Sequence, residues 1–308
     1  MNTQHPHLDA GESAFFSRQL ELIKSTVYEV QYGEYLARKL FPVSTEGGPG
    51  LETITYRMFD RVGMAKVISS YADDLPDADV LGLETITKVR ELGDQFHFTW
   101  KEIQKAAYSN TNLRDRKAKA ARLGMWAAED QISFAGSATY GMYGILNHPN
   151  TTAVSLPADG TGAAVTFASK TAAQILRDMN TVANTPSQVS KNVEKPNVLL
   201  MPVAQYNLVA STPVGTYNDK TVLRFFLDNN PYIKEVVPVP QLQAAGAGGT
   251  DVMVAYSRDP MKMELAIPSD FQMLAEQARG LKYVTPCVES FGGLIIYFPL
   301  SVAIAAGI

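Results

Sequence analysis

The chain has 308 residues, 46% of them apolar, with 27 basic and 31 acidic side chains and a net charge of −4. That is enough chain to bury one large or two ordinary cores, and the acidic balance excludes bulk electrostatic attraction to nucleic acid. The single cysteine, Cys287, excludes an intrachain disulfide framework and a cysteine-rich metal site, fits a reducing compartment and reads as a small buried apolar residue.

Residues 1–12 carry neither a basic start nor an apolar run with a cleavage site, so no secretory signal is expected. Residues 12–31 place Phe16, Leu20, Ile23, Val27 and Val30 at helical spacing and predict an amphipathic helix packed on its own domain. Gly47, Gly48, Pro49 and Gly50 then form a flexible joint. Leu-Glu-Thr-Ile-Thr occurs twice, at 51–55 and 83–87, and each copy opens a strand-like segment. The first continues through Tyr56, Met58 and Phe59, the second through Val89, Phe96, Phe98 and Trp100. Between them lies an acidic, turn-rich tip with Asp73, Asp74, Asp77 and Asp79, preceded by Lys66. A two-stranded excursion cannot bury both faces against itself, so this arm is expected to lie on another subunit. Pro76 interrupts the aspartates, whose spacing does not match a calcium loop. They read as solvated or paired across a subunit boundary.

Residues 101–108 predict a short helix, ended by Ser109, Asn110, Thr111 and Asn112, whose side chains can cap the next one. The longest helical signal spans 113–133, with a seam of Ala118, Ala121, Met125, Ala128 and Ile132. Arg114, Arg116, Lys117, Lys119 and Arg122 crowd its first half, against the helix dipole. They read as a solvated face, with an acidic neighbour or an enclosed polyanion as the alternative.

Residues 136–149 are turn-rich and 156–162 a loop. Ala172, Ile175, Leu176, Met179 and Val182 mark a helix, and strands at 198–201, 233–239 and 252–256, short helices at 204–210 and 221–227, and a glycine-rich turn at 244–250 follow. This pattern predicts an α+β unit with its own sheet. Residues 263–267 and 282–302 supply strands that return to the long helix. The uncharged run 290–308 is long enough to raise a tail anchor, but Gly292, Gly293 and Pro299 among β-branched and aromatic residues make it two short buried strands.

No motif carries catalysis. His5 and His7 sit in the polar tail, His97 lies between Phe96 and Phe98, and His148 sits in an Asn-His-Pro turn; none has metal-ligand spacing. Gly-x-Ser-x-Gly, Gly-Lys-Ser/Thr and Cys-x-x-Cys are absent, and Gly246 to Gly249 lack a strand-to-helix context. No enzyme, cofactor or metal is expected.

In the order arm, long helix, inserted α+β unit and returning strands, the chain resembles the major capsid proteins of tailed bacteriophages, with the HK97-type fold shared by encapsulin-like shell proteins. The residues that carry the resemblance are Glu52 to Tyr56 with Asp60 and Gly63, Ala72 to Pro76, Leu113 with Lys117 to Arg122, and Gly144 to Pro149. The resemblance implies an α+β fold with an N-arm at 1–42, an extended β-hairpin E-loop and its root at 43–100, a P-domain with the spine helix at 101–169, an A-domain at 170–260 and returning P-domain strands at 261–308. It implies a structural subunit that self-assembles as hexamers and pentamers into an icosahedral head enclosing DNA, a virion component assembled in the host cytoplasm. An encapsulin-like compartment is the alternative, and a soluble enzyme is less favoured. The implied partners are further copies of the chain, a portal, a decoration protein and a separate scaffolding protein; the last is favoured over a scaffolding segment that was processed away, because the chain begins at Met1. Packaged DNA lies close without specific contacts, and no membrane is involved. Lys66, Asp73, Asp74, Asp77 and Asp79 are the expected intersubunit residues of the E-loop. A covalent Lys–Asn cross-link is not expected, because no partner asparagine or catalytic glutamate can be matched to Lys66.

Overall fold

Residues 198–201, 252–256 and 302–306 are apolar at nearly every position, so a strand built from any of them must be covered on both faces. In the computed structural model, which describes residues 33–63, 77–109, 113–215 and 218–308, all three become interior strands of one sheet. The elements run in order α1 (Ala37–Leu40), β1 (Val43–Ser44), β2 (Thr53–Val62), β3 (Asp79–Lys88), β4 (Arg90–Thr99), α2 (Trp100–Ser109), α3 (Leu113–Ala135) and β5 (Thr152–Val154). There follow α4 (Ala172–Val189), β6 (Val198–Met201), α5 (Val203–Ser211), β7 (Pro213–Gly215), β8 (Asn218–Thr221), α6 (Val222–Asn229), β9 (Glu235–Pro238) and β10 (Val252–Tyr256). The last strands are β11 (Met263–Ala266), β12 (Ser269–Met273), β13 (Gln277–Arg279), β14 (Lys282–Phe291), β15 (Gly293–Ile296) and β16 (Val302–Ala306).

The five-stranded sheet has the order β5-β16-β10-β6-β9. Strand side chains alternate between faces, and here the alternation feeds two cores. Val198, Leu200, Val254 and Tyr256 enter a core shared with Phe41, Phe134 and Phe291. Leu199, Met201, Met253 and Ala255 enter the other, covered by Ile175 and Met179 of α4 and Phe226 of α6. The expected strands and helices of the inserted unit are present, but its sheet is not its own. β16, from the end of the chain, pairs with β10 along its whole length, and β5 pairs with β16. A buried central strand needs two hydrogen-bonded neighbours, and β10 finds its second one outside the segment.

The second arm segment also departs from the expectation. It divides at Val89, whose N–H donates to Glu52 O at 2.8 Å and closes the root of a β2–β3 hairpin. β4 leaves the hairpin and pairs over ten residues with β14. The reason lies in Phe96 and Phe98, which pack edge to face, 5.6 Å apart, in a core with Ala121, Met125 and Cys287. Exposed on an arm, these rings would have no cover. α3 lies against β4, ends at Gly136 with φ +72°, and is followed by a turn so close that a Cβ on Gly144 would meet Gly136 N at 2.5 Å. The helix expected at 12–31, and Lys66, Asp73 and Asp74, lie outside the described residues.

Candidate functional site

Thr53 faces Lys88 at the root of the β2–β3 hairpin, and the ten-residue register runs without a break to Val62 opposite Asp79. Among the described residues no third strand joins either edge. Directly paired residues share a face, so Tyr56, Met58 and Leu83 lie on one side and Phe59, Ile86 and Val80 on the other. The root is supported by the body of the protein: Tyr56 packs edge to face on Tyr297 at 4.8 Å. Farther out, Phe59 is 72% exposed, Leu83 62% and Ile86 63%. At the far end Gly63 has φ +121°, and a Cβ there would stand 2.7 Å from Asp77 O, so only glycine fits. Asp77 and Asp79 are both exposed, and Asp79 accepts the Val80 N–H at 2.8 Å. Beneath the supported face is a groove of about 400 Å³, lined by Tyr56, Met58, Leu83, Tyr143, His148 and Leu300. His148 is half-buried, with Nδ1 at 2.8 Å from Pro149 O, and burial lowers its pKa.

On α3, Ala121 and Met125 are buried, whereas Ala118, Ala128 and Ile132 are only half-buried. The buried stripe continues through Glu129 and Ser133 and passes beside Ala128. Glu129 is drawn inward by Arg38, whose Nε and Nη2 each donate to its carboxylate at 2.7 Å. Arg38 Nη2 also donates to Glu289 at 2.7 Å and to Asp270 at 3.0 Å. Burial, reinforced by the neighbouring Glu129, pushes the Glu289 carboxyl up to about 9. The adjacent Asp130 accepts the N–H groups of Leu36 and Ala37 at 2.8 and 2.9 Å, and a bond from Gln241 Nε2. Burial outweighs these bonds and raises the Asp130 pKa. A perturbed carboxyl is a common mark of a catalytic acid. Here both glutamates are engaged by one guanidinium that ties α1 to α3 and β14, which is a structural role.

Sequence reasoning missed this cluster, because isolated charges on a helix default to solvent. The one signal was the position of Glu129, four residues beyond Met125 on the seam. At the start of α2, Thr99 and Glu102 form a reciprocal cap: Thr99 N–H donates to Glu102 Oε2 at 2.9 Å, and Glu102 N–H to Thr99 Oγ1 at 3.3 Å. The Thr99 bonds and Lys117, 3.3 Å away, hold the Glu102 carboxyl down to about 2. Among the described residues no cluster of His, Cys, Asp or Glu could hold a metal ion, and no helix is long and apolar enough to cross a membrane.

The chain superposes on the capsid protein of Myoviridae phage XM1 with a TM-score of 0.81 at 19% identity, covering 96% of this chain and 99% of that one. For the capsid of the native GTA particle the TM-score is 0.66 at 9% identity, with 93% and 94% covered. For the virus-like particle from Pyrococcus furiosus it is 0.52 at 12%, with 87% and 90% covered. A comparison with curated protein sequences gives no significant match. The family model for "Major capsid protein" matches residues 63–308, which does not favour the encapsulin-like alternative. With an HK97-type α+β fold and a family match over most of its length, the chain belongs to the major capsid protein family and is a structural subunit of a phage head, a self-associating virion component and not an enzyme.

Proposed function

We propose that the subunits associate as hexamers and pentamers into an icosahedral shell enclosing DNA, with the β2–β3 hairpin laid over a neighbouring subunit. The observation that carries this reading is the hairpin itself: its apolar side chains are exposed on both faces and its edges are unpaired among the described residues. Contiguous exposed apolar surface of this kind marks an interaction site, and burying it repeatedly in a closed shell supplies the energy of assembly. The E-loop is then the hairpin through Lys88, with Lys66, Asp73, Asp74, Asp77 and Asp79 contributing intersubunit contacts at its tip. Residues 1–42 act as the N-arm, 101–169 and 261–308 as the P-domain with its spine helix, and 170–260 as the A-domain at the local axis. The seam of Ala118, Ala121, Met125, Ala128 and Ile132 serves as the packing face of that spine. Family membership supports a scaffolding protein, a portal and a decoration protein as partners, with assembly in the host cytoplasm.

Sedimentation and negative-stain microscopy of the purified protein test the reading. Capsomers or shells are expected, and Leu83→Asp with Ile86→Asp should leave folded protomers that form none. A wild-type protein that stays a monodisperse monomer over a wide concentration range would overturn it.

A further inference from the structure

Residues 101–122 carry seven cations against two acids, Glu102 and Asp115. That is a local +5 in a chain of net −4, so everything outside the segment sums to −9. α2 and α3 meet where Lys117 reaches Glu102 at 3.3 Å and His97 O at 2.6 Å. Lys117 is thus turned inward, whereas Lys101, Lys105, Arg114, Arg116, Lys119 and Arg122 are exposed. On α2, Lys101, Gln104, Lys105 and Tyr108 line one open depression, and the Tyr108 side chain stands 97% exposed beside the two lysines. The cations of α3 crowd its N-terminal half, where the helix dipole opposes positive charge. Helix stability therefore does not explain their position.

We propose that the exposed face of α2 and the first half of α3 binds duplex DNA through its phosphates, which makes it the face turned toward the packaged genome. This rests on the shell reading above. Arg and Tyr suit a protein interface as well as a phosphate backbone, but protein interfaces are depleted of lysine at their centres, whereas phosphates are contacted by Lys together with Arg and Tyr, so the three exposed lysines Lys101, Lys105 and Lys119 decide. The composition of this face fits the second case. An overall acidic chain would otherwise repel the genome it encloses, and confining the positive charge to one face removes that repulsion locally.

The test uses the full chain and a fluorescently labelled duplex of about 20 base pairs, with binding followed by anisotropy over a range of NaCl concentrations. Lys101→Gln, Arg114→Gln and Arg116→Gln are combined, and Lys191→Gln, Lys195→Gln and Lys234→Gln, exposed elsewhere, form a control of equal charge change. With folding verified by circular dichroism, the first variant should bind at least about tenfold more weakly, its log–log salt slope shallower by roughly 0.9 for each phosphate that is no longer neutralised. The control should match wild type. Unchanged affinity in the first variant, or an equal loss in the control, overturns the proposal. So does a first variant that keeps DNA affinity but no longer forms shells, since the face would then belong to a protein contact. Shell formation by the wild-type protein, scored separately by microscopy, reports on the shell reading whatever the DNA result.

Discussion

The strand β10 and the hairpin strand β3 are both rich in β-formers, yet all five residues of β10 are buried and eight of the ten in β3 are exposed. β propensity is the same kind of signal in both; what differs is the neighbour. β10 has β6 and β16 on its edges and a core on each face, whereas β3, among the described residues, has β2 alone. The buried apolar contacts of the protomer therefore lie in the sheets and α3, whereas the proposed association surface is the hairpin.

The largest effect that would sharpen this contrast is expected from Met125→Asp. Met125 sits against Phe96, Phe98 and Cys287, and an unpaired carboxylate there should cost about 4 kcal/mol or more, a large share of a typical domain's stability. Soluble yield and denaturant unfolding measure it; a soluble variant that still forms shells would break the comparison. Arg38→Met follows, at about 3–5 kcal/mol, because it leaves Glu129 and Glu289 buried without their cation. Adding Glu129→Gln should recover part of that loss.

Glu289→Gln tests the same cluster through pH. The raised pKa means that the folded protein binds more protons than the unfolded chain between the ordinary value of 4.5 and about 9. The stability this carboxyl contributes is complete below that window and declines as pH rises through it. The variant should match wild type near the lower limit and exceed it near the upper one, by an amount on the order of 2 kcal/mol after coupling to Glu129. A thermal unfolding series over pH would show it, and parallel curves for the two proteins would remove Glu289 as the source. The smallest stability effect is expected in the hairpin, where Phe59→Ser should change protomer unfolding by about 0.5 kcal/mol or less while reducing shell yield. A strong shift in unfolding with normal shells would place Phe59 in the protomer's own core.

Much of the fold was legible in the chain. The helical period of α3 and α4, the apolar runs of β6 and β10 and the paired Leu-Glu-Thr-Ile-Thr segments each mark their elements locally, because periodicity reports which face is apolar. The exposed hairpin was legible for the same reason: its two strands are too short a unit to cover themselves. Neither the partner of β4 nor the sheet that takes β16 could be read this way, since a strand pattern names a face and not the strand beside it.

The buried ionic cluster is the clearest case of something only the tertiary structure decided. Glu129 lies on the seam by spacing, but its burial depends on Arg38 and Glu289, and the last two are 251 positions apart. An ionised carboxylate is inserted into a core only when a cation and hydrogen bonds meet it there. The sequence by itself determined the elements, the apolar faces and the exposed arm, which follow from interactions within a few turns. Which strands share a sheet, and which charges are taken inside, follow from contacts that exist only once distant segments have come together.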